Sequence, residues 1–187
     1  MKLLREILYK VEINSVVGST SLSINKIEFD SRLISDGDMY IAITGVNVDG
    51  HSFISQAIKN GANCIVCEKI PDNKTDGVVY VNVKSSRKAL AIISSNYFDN
   101  PSSKLNLIGV TGTNGKTTIA TLLFDLYTEL EIKSGLISTV KISYDNKNFQ
   151  ANQTTPDSLS INRFLSEMVN SNAVSYTHLR AHETKKH

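Results

Sequence analysis

The sequence is poor in the features that mark several large functional classes. Lys and Arg total 20 against 18 Asp and Glu, a formal net charge of +2. That balance makes no polyanion-sized field, so nucleic acid is not an expected partner. No apolar run approaches the ~18 residues that span a bilayer, so a membrane is not one either. Residues 1–10 place Arg5 and Glu6 inside what would be the apolar core of a signal peptide. They read as a short amphipathic helix, and the chain is expected to stay in the cytoplasm. There is no internal repeat and no low-complexity segment. With 187 residues, 41% of them hydrophobic, the chain can bury one or two modest cores.

Cysteine is scarce too. The two present, Cys64 and Cys67, have a C-x-x-C spacing, but no second pair and no nearby His completes a zinc site. They lie in a short β-branched run after Gly61 that reads as a buried strand. Positions three apart on a strand face opposite sides of the sheet. Both are expected to be small buried hydrophobes.

What the sequence does have is concentrated in Gly109-Val-Thr-Gly-Thr-Asn-Gly-Lys-Thr-Thr118. An apolar run, 105–108, precedes it and an amphipathic run, 119–127, follows. Strand, glycine-rich turn and helix in that order are the context of a phosphate-binding loop. Gly112 and Gly115 let backbone N–H groups crowd around an anion with no Cβ in the way. The new helix points its positive end at the same phosphates. Lys116 would neutralise charge on the β- and γ-phosphates, and the Thr117 hydroxyl is placed to ligate Mg²⁺. An ordinary glycine-rich βα turn would not supply Gly-Lys-Thr after an apolar strand. The strict G-x-x-x-x-G-K-[ST] spacing fails, since Val110 stands where its first glycine should be.

The rest alternates strands and helices. Residues 22–29 and 38–43 are predicted strands, joined by a turn-rich link at 30–37. A helical stripe over 51–60 stops at Gly61. Strands at 63–67 and 78–83 precede a helix over 85–98 with Ser85 at its N-cap. Residues 100–104 read as a domain linker. Residues 135–144 read as one strand, and a helix runs from Pro156 to Val169. The expected fold class is α/β. A small N-terminal α/β substrate domain, 1–101, precedes the beginning of a P-loop-type parallel-sheet ATPase domain, 102–172, which is truncated.

The shorter loop form G-T-N-G-K-T at 112–117 resembles the ATP loop of the Mur ligase superfamily, the amide-forming enzymes of peptidoglycan synthesis and their folylpolyglutamate synthetase relatives. The folate branch usually has Gly after the Lys, whereas this chain has Thr117 and Thr118. The N-terminal half carries a second resemblance. The blocks Phe29-Asp-Ser-Arg32, Gly37-Asp-Met-Tyr40, Ile41-Ala-Ile-Thr-Gly45, Asp49-Gly-His-Ser-Phe53 and Gly61-Ala62 recur in this order in the substrate domain of two Mur branches. One adds the third residue of the peptide stem and the other adds D-Ala-D-Ala. Thr113 with Asn114, and the block Gln153-Thr-Thr-Pro-Asp157, resemble the third-residue branch. The D-Ala-D-Ala branch is the alternative.

The resemblance implies roles residue by residue. Gly112, Thr113, Asn114, Gly115, Lys116, Thr117 and Thr118 would bind ATP, with Lys116 catalytic and Thr117 on Mg²⁺. Phe29, Ser31, Val46, Asn47, Val48, Gln153, Thr154 and Thr155 would contact the UDP-sugar. Ser31 and the turn at 45–48 can offer hydroxyl and backbone donors without large charge. Taken alone, Asp30-Ser-Arg32 is also a plain turn with an Arg–Asp surface pair. Ser138 departs from the family, which usually has Gly before Thr139, and Gln153 stands where Asn is common.

The implied reaction is ATP-dependent amide formation. The D-Glu carboxylate of UDP-N-acetylmuramoyl-L-Ala-D-Glu attacks the γ-phosphorus to give an acyl phosphate. The amine of a free amino acid then displaces phosphate. Positioning of anions is most of the protein's contribution. The family's other essentials have no position here: a carboxylate and a His that hold Mg²⁺, a carbamylated Lys, and the domain that selects the amino acid. The full-length enzyme is expected to be a monomer. A GTPase is the rival from another class, but it needs a D-x-x-G switch and an N-K-x-D reader. Residues 146–149 lack that Asp and lie too close to the loop.

Residues 173–187 break the pattern. An α/β protein should return to its sheet with an apolar strand after the helix ending near Val169. The residues here are polar and basic. His178 and His182 are four apart, which on a helix could make a metal pair, but no carboxylate or third ligand has the required setting. Residues 174–184 resemble translated adaptor read-through. The native reading is expected to stop near Asn172, with a tail that packs against nothing, a chain without ligase activity, and apolar surface left exposed.

Overall fold

A computed structural model describes residues 1–45, 48–145, 147–150 and 156–179. The chain forms two compact units, Met1–Tyr97 and Phe98–His187.

In the first unit β4 (Ile27–Glu28), β5 (Asp38–Ile41), β6 (Ala62–Cys67) and β7 (Val79–Val83) run parallel. The antiparallel strand β2 (Ile13–Val17) lies outside β7, giving the order β2-β7-β6-β5-β4. A parallel strand covered on both faces should be apolar on both. Accordingly Met39, Tyr40, Ile41 and all of Cys64–Cys67 are no more than 1% exposed. Both thiols are free and buried, as the β-branched run implied. Helix α2 (Ile54–Lys59) covers one face, seating Ile54 and Ala57 against Tyr40, Ile65, Cys67 and Tyr80. Helix α3 (Ser86–Tyr97) packs against the single turn α1 (Leu4–Ile7). There the Asn96 amide donates to the carbonyls of Ile7 and Tyr9 at 2.9 and 2.6 Å.

Two predicted elements in this unit need correction, and one strand was not predicted. Residues 1–10 hold a two-residue strand, β1 (Lys2–Leu3), before α1, because β1 pairs with β3 (Ser23–Ile24). The single strand predicted over 22–29 is β3 and β4, interrupted where the Asn25 amide turns to donate to the carbonyl of Asp36. Strand β2 is exposed along its whole length and gave no buried pattern to read.

The second unit holds β8 (Asn106–Val110), α4 (Lys116–Glu129), β9 (Ser134–Ile137), β10 (Lys141–Tyr144), β11 (Lys147–Gln150), α5 (Ser158–Asn170) and β12 (Ser175–Leu179). Its sheet has the order β11-β10-β9-β12-β8. Successive residues of β9 serve opposite faces, as a strand's period requires. Leu136 meets Val110 and Ala120 under α4, while Ile137 meets Leu165, Met168 and Tyr176 under α5. The strand predicted over 135–144 is a hairpin: β10 turns back antiparallel on β9 and extends to β11. Thus a parallel core of three strands carries an antiparallel edge.

The largest correction concerns the tail. Ser175–Leu179 is not loose; it lies between β8 and β9, parallel to both. Tyr176 is 7% exposed and Thr177 1%. The segment looked polar because a central strand needs only small or β-branched residues where a helix packs closely, and Ser175 and Thr177 meet that need. Ladder hydrogen bonds on both sides satisfy its backbone, while the Ser175 hydroxyl is buried with no hydrogen-bond partner among the described residues. Residues 180–187, with His182, lie outside the described residues.

Exposed apolar surface is present, as expected. Ile119, Leu122, Leu126 and Leu130 form a stripe along α4 at 50% exposure or more, and Leu107 of β8 is 59% exposed. Among the described residues no helix is long and apolar enough to cross a membrane.

Candidate functional site

In the second unit the chain leaves the C-terminal end of β8 and enters α4 through the predicted loop. Gly115 is the N-cap of α4, with φ +75°. A side chain there would be strained by the left-handed backbone alone, since nothing lies within 4 Å of an added Cβ. The space above the loop is therefore open. Gly112, Thr113, Asn114 and Gly115 are exposed, and Lys116 and Thr117 open the helix half-buried. The first amides of α4 have no earlier turn to bond to and face that space. Lys116 folds back so that its Nζ donates to the carbonyls of Gly112 and, at 3.2 Å, Thr113.

The hydroxyl of Thr117 is a hard oxygen donor of the kind Mg²⁺ takes beside phosphate oxygens and waters. Among the described residues no group of three or more His, Cys, Asp or Glu could hold a metal. The fit to Mg²⁺ thus rests on Thr117 and a nucleotide's own oxygens.

Directly after β9, Ser138 ties the hairpin turn. Its hydroxyl accepts from the N–H groups of Val140 and Lys141 at 3.3 and 3.0 Å and donates to the Lys141 carbonyl at 2.8 Å. This local role accounts for a serine where the family usually has glycine.

In the first unit two loops leave the C-terminal ends of adjacent parallel strands, the edge where open α/β sheets bind ligands. One follows β4 and carries Phe29 and Ser31. The other follows β5 and carries Val48. The Tyr40 hydroxyl donates to the Gly50 carbonyl at 2.9 Å. Burial, with the carboxylates of Asp30 and Asp49 close by, pushes its pKa up to about 12. The loops leave neighbouring strands, β4 and β5, which pair parallel.

Phe29 is 36% and Val48 57% exposed, apolar groups open to a ligand, whereas Ser31 is only 7% exposed. Asp30 caps the turn by accepting the N–H of Arg32 and also takes its guanidinium in a fork, at 2.6 to 3.2 Å. Those bonds hold the Asp30 carboxyl below the usual carboxylate range. The surface pair readable from Asp30-Ser-Arg32 is thus real, and it shapes the turn that carries Ser31. The Asn60 amide, at the end of α2, donates to the Ser31 carbonyl at 2.8 Å. Sequence reasoning missed Asn60, because only the fold brings residues 31 and 60 together. Val46, Asn47, Gln153, Thr154 and Thr155 lie outside the described residues.

Two family models match this chain: the Mur ligase family catalytic domain over residues 23–98 and the Mur ligase middle domain over residues 110–178. The chain belongs to the Mur ligase family. It is 48% identical over 167 residues to the UDP-N-acetylmuramoyl-L-alanyl-D-glutamate–2,6-diaminopimelate ligase of Cytophaga hutchinsonii, covering 89% of this chain and 34% of that protein. It spans about a third of the length of the curated relatives it matches. A solved structure of a UDP-N-acetylmuramoyl-L-alanyl-D-glutamate–2,6-diaminopimelate ligase shares the fold with TM-score 0.73 at 22% identity, over 97% of this chain and 36% of the other. The MurF ligase from Thermotoga maritima in complex with ADP is similar over 84% of this chain and 33% of its own, with TM-score 0.52 and 25% identity.

Proposed function

We propose that this chain supplies the UDP-sugar and ATP sites of a ligase that adds the third amino acid to UDP-N-acetylmuramoyl-L-alanyl-D-glutamate. The observation that carries this reading is an open glycine loop at the start of α4 in a chain 48% identical to a ligase named for that substrate. The relatives' names favour 2,6-diaminopimelate as the amine donor. They also favour this branch over the one that adds D-Ala-D-Ala.

In this reading the first amides of α4 and the backbone of 112–115 bind the ATP phosphates. Lys116 exchanges its bonds to the loop carbonyls for bonds to the β- and γ-phosphate oxygens. The substrate carboxylate attacks the γ-phosphorus, ADP leaves, and an acyl phosphate forms. The amine attacks the acyl carbon, phosphate leaves, and the amine gives up its proton. Positive charge fixed in advance at the transferring phosphoryl group is how the loop lowers the barrier. Mg²⁺, held by Thr117 and the nucleotide, would neutralise phosphate charge. Phe29, Ser31 and the turn at 45–48 would hold the uridine end, and Gln153, Thr154 and Thr155 the muramoyl end.

The 187-residue chain is expected to bind ATP and UDP without turning over. The test is titration of the chain with MgATP and separately with UDP, followed by amide shifts. UDP that moved no signal near Ser31 or Val48, or ATP that moved none at 112–118, would refute the corresponding half. Amide formation by this chain alone would refute the expected inactivity.

A further inference from the structure

The Asp49-Gly-His-Ser-Phe53 block holds a histidine whose two ring nitrogens both have partners. The side chain of His51 is 17% exposed. Its Nδ1 lies 2.7 Å from Asp49 Oδ1, and its Nε2 accepts the backbone N–H of Glu68 at 3.0 Å. A backbone N–H can only donate, so Nε2 must present a lone pair. The ring is then neutral, with its proton on Nδ1 and directed at Asp49. Asp49 Oδ1 also takes the N–H of His51 at 3.0 Å and the Thr44 hydroxyl at 3.3 Å.

These bonds join three elements. Glu68 follows the end of β6, and its Oε1 accepts the N–H of Ser86 at the start of α3, at 2.9 Å. The next residue, Arg87, donates to the Thr44 carbonyl at 3.3 Å. The described residues of the turn are also tied locally. Its ends pair as an antiparallel bridge, Thr44 with Asp49, and Gly45 N–H donates to the Val48 carbonyl at 2.9 Å. Val48 is mostly exposed, and the buried core stops at Ala42. Hydrogen bonds therefore tie the ends of the turn, Thr44 and Asp49, to the end of β6 and the start of α3.

We propose that His51, as the neutral Nδ1–H tautomer, is a positioning residue that ties the 44–49 turn to the end of β6 and so sets the uridine-diphosphate site. This rests on the reading of that turn as a UDP contact. The bond that matters most is the one from Glu68, because it joins the His51 ring to the segment that follows β6. Gln at this position can place a carbonyl oxygen where Nε2 stands and still accept from Glu68. Asn can place an amide where Nδ1 stands, keeping only the local bond to Asp49.

The test uses the 187-residue chain with UDP as the probe. Nitrogen-15 NMR of the imidazole at neutral pH is expected to show Nδ1 protonated and Nε2 bare. H51A and H51N are expected to weaken UDP binding by about tenfold, and H51Q by less than about threefold, a gap well under 1.4 kcal/mol for the rescued variant. A ring charged or protonated on Nε2 would overturn the proposal even if no variant folded. UDP affinity undiminished in a folded H51A, or no better in H51Q than in H51N, would overturn it as well. No UDP binding by the unaltered chain would instead remove the uridine reading, and this proposal with it.

Discussion

Lys116 Nζ donates to the carbonyl oxygen of Gly112, so the cation that a phosphate would recruit already closes the loop that would hold it. The contact is exposed, and it joins a side chain to backbone within five residues. It contributes little to the fold and is readily exchanged for an anion.

Replacement of Lys116 by Ala should therefore separate binding from stability. MgATP affinity is expected to fall at least about tenfold, about 1.4 kcal/mol. Thermal unfolding should move little, since surface substitutions of this kind stay within about 0.5 kcal/mol. Calorimetric titration beside a melting curve reads both. Unchanged ATP affinity would remove the phosphate-loop assignment.

The two thiols give a pH dependence of definite sign. Burial pushes the Cys67 thiol up to about 11, and burial with Cys67 alongside pushes Cys64 higher. In the unfolded chain both ionise near 8.5, and in the folded chain they stay neutral. Their contribution is complete below that pH and is lost as pH rises toward 11, at about 1.4 kcal/mol per unit and per thiol. Urea unfolding at pH 8, 9 and 10 should show this loss. A variant with Ala at both positions should show a flatter profile over the same range.

Much of this architecture was legible because its signals are local. The loop at 112–118 announces itself by composition, and the helix predicted from Pro156 to Val169 by its apolar spacing; in the structure it is α5, capped by Asp157, whose carboxylate accepts the N–H of Ser160 at 2.9 Å. The burial of Cys64 and Cys67 followed from the β-branched residues between them. What was illegible depended on partners distant in sequence. Nothing near Ser31 indicates that Asn60 will hold its carbonyl. Nothing in 13–17 shows that this exposed strand pairs with β7, and nothing in 175–179 shows that two strands await it. Periodicity reports the burial of apolar side chains: 13–17 is exposed throughout, and the buried Ser175 and Thr177 flank Tyr176 with polar residues that hide the pattern.

Gly50 is a case where the local signal understates the constraint. A Cβ there would stand 2.7 Å from the backbone nitrogen and 2.8 Å from the carbonyl oxygen of Ile43, with the Tyr40 hydroxyl at 3.3 Å. None of these can move without displacing β5 or the turn that follows it. Gly50→Ala is expected to destabilise the first unit by about 1–3 kcal/mol. Denaturant titration of the chain, following residues 1–97 by NMR, measures it, and a neutral effect would mean that the turn approaches β5 less closely.

Tyr176 tests the strand that the sequence concealed. Its ring is 7% exposed and packs with Ile137, Leu165 and Met168, and burial raises its pKa. Its backbone lies in register with Leu107 on one side and Gly135 on the other. If residues 175–179 form the strand between β8 and β9, truncation to Ala removes a buried ring and leaves a cavity that neighbours on β9 and α5 must collapse to fill. The expected cost is on the order of 3 kcal/mol, confined to the second unit. Hydrogen exchange adds a readout that does not depend on the substitution. The amides of Tyr176 and Thr177 should be protected as strongly as those of Leu136 and Ile137, because a central strand exchanges only when its neighbours open. Fast exchange at 176 and 177, together with an unchanged melting curve for Tyr176→Ala, would return this segment to the status of a loose tail and leave β8 and β9 without a strand between them.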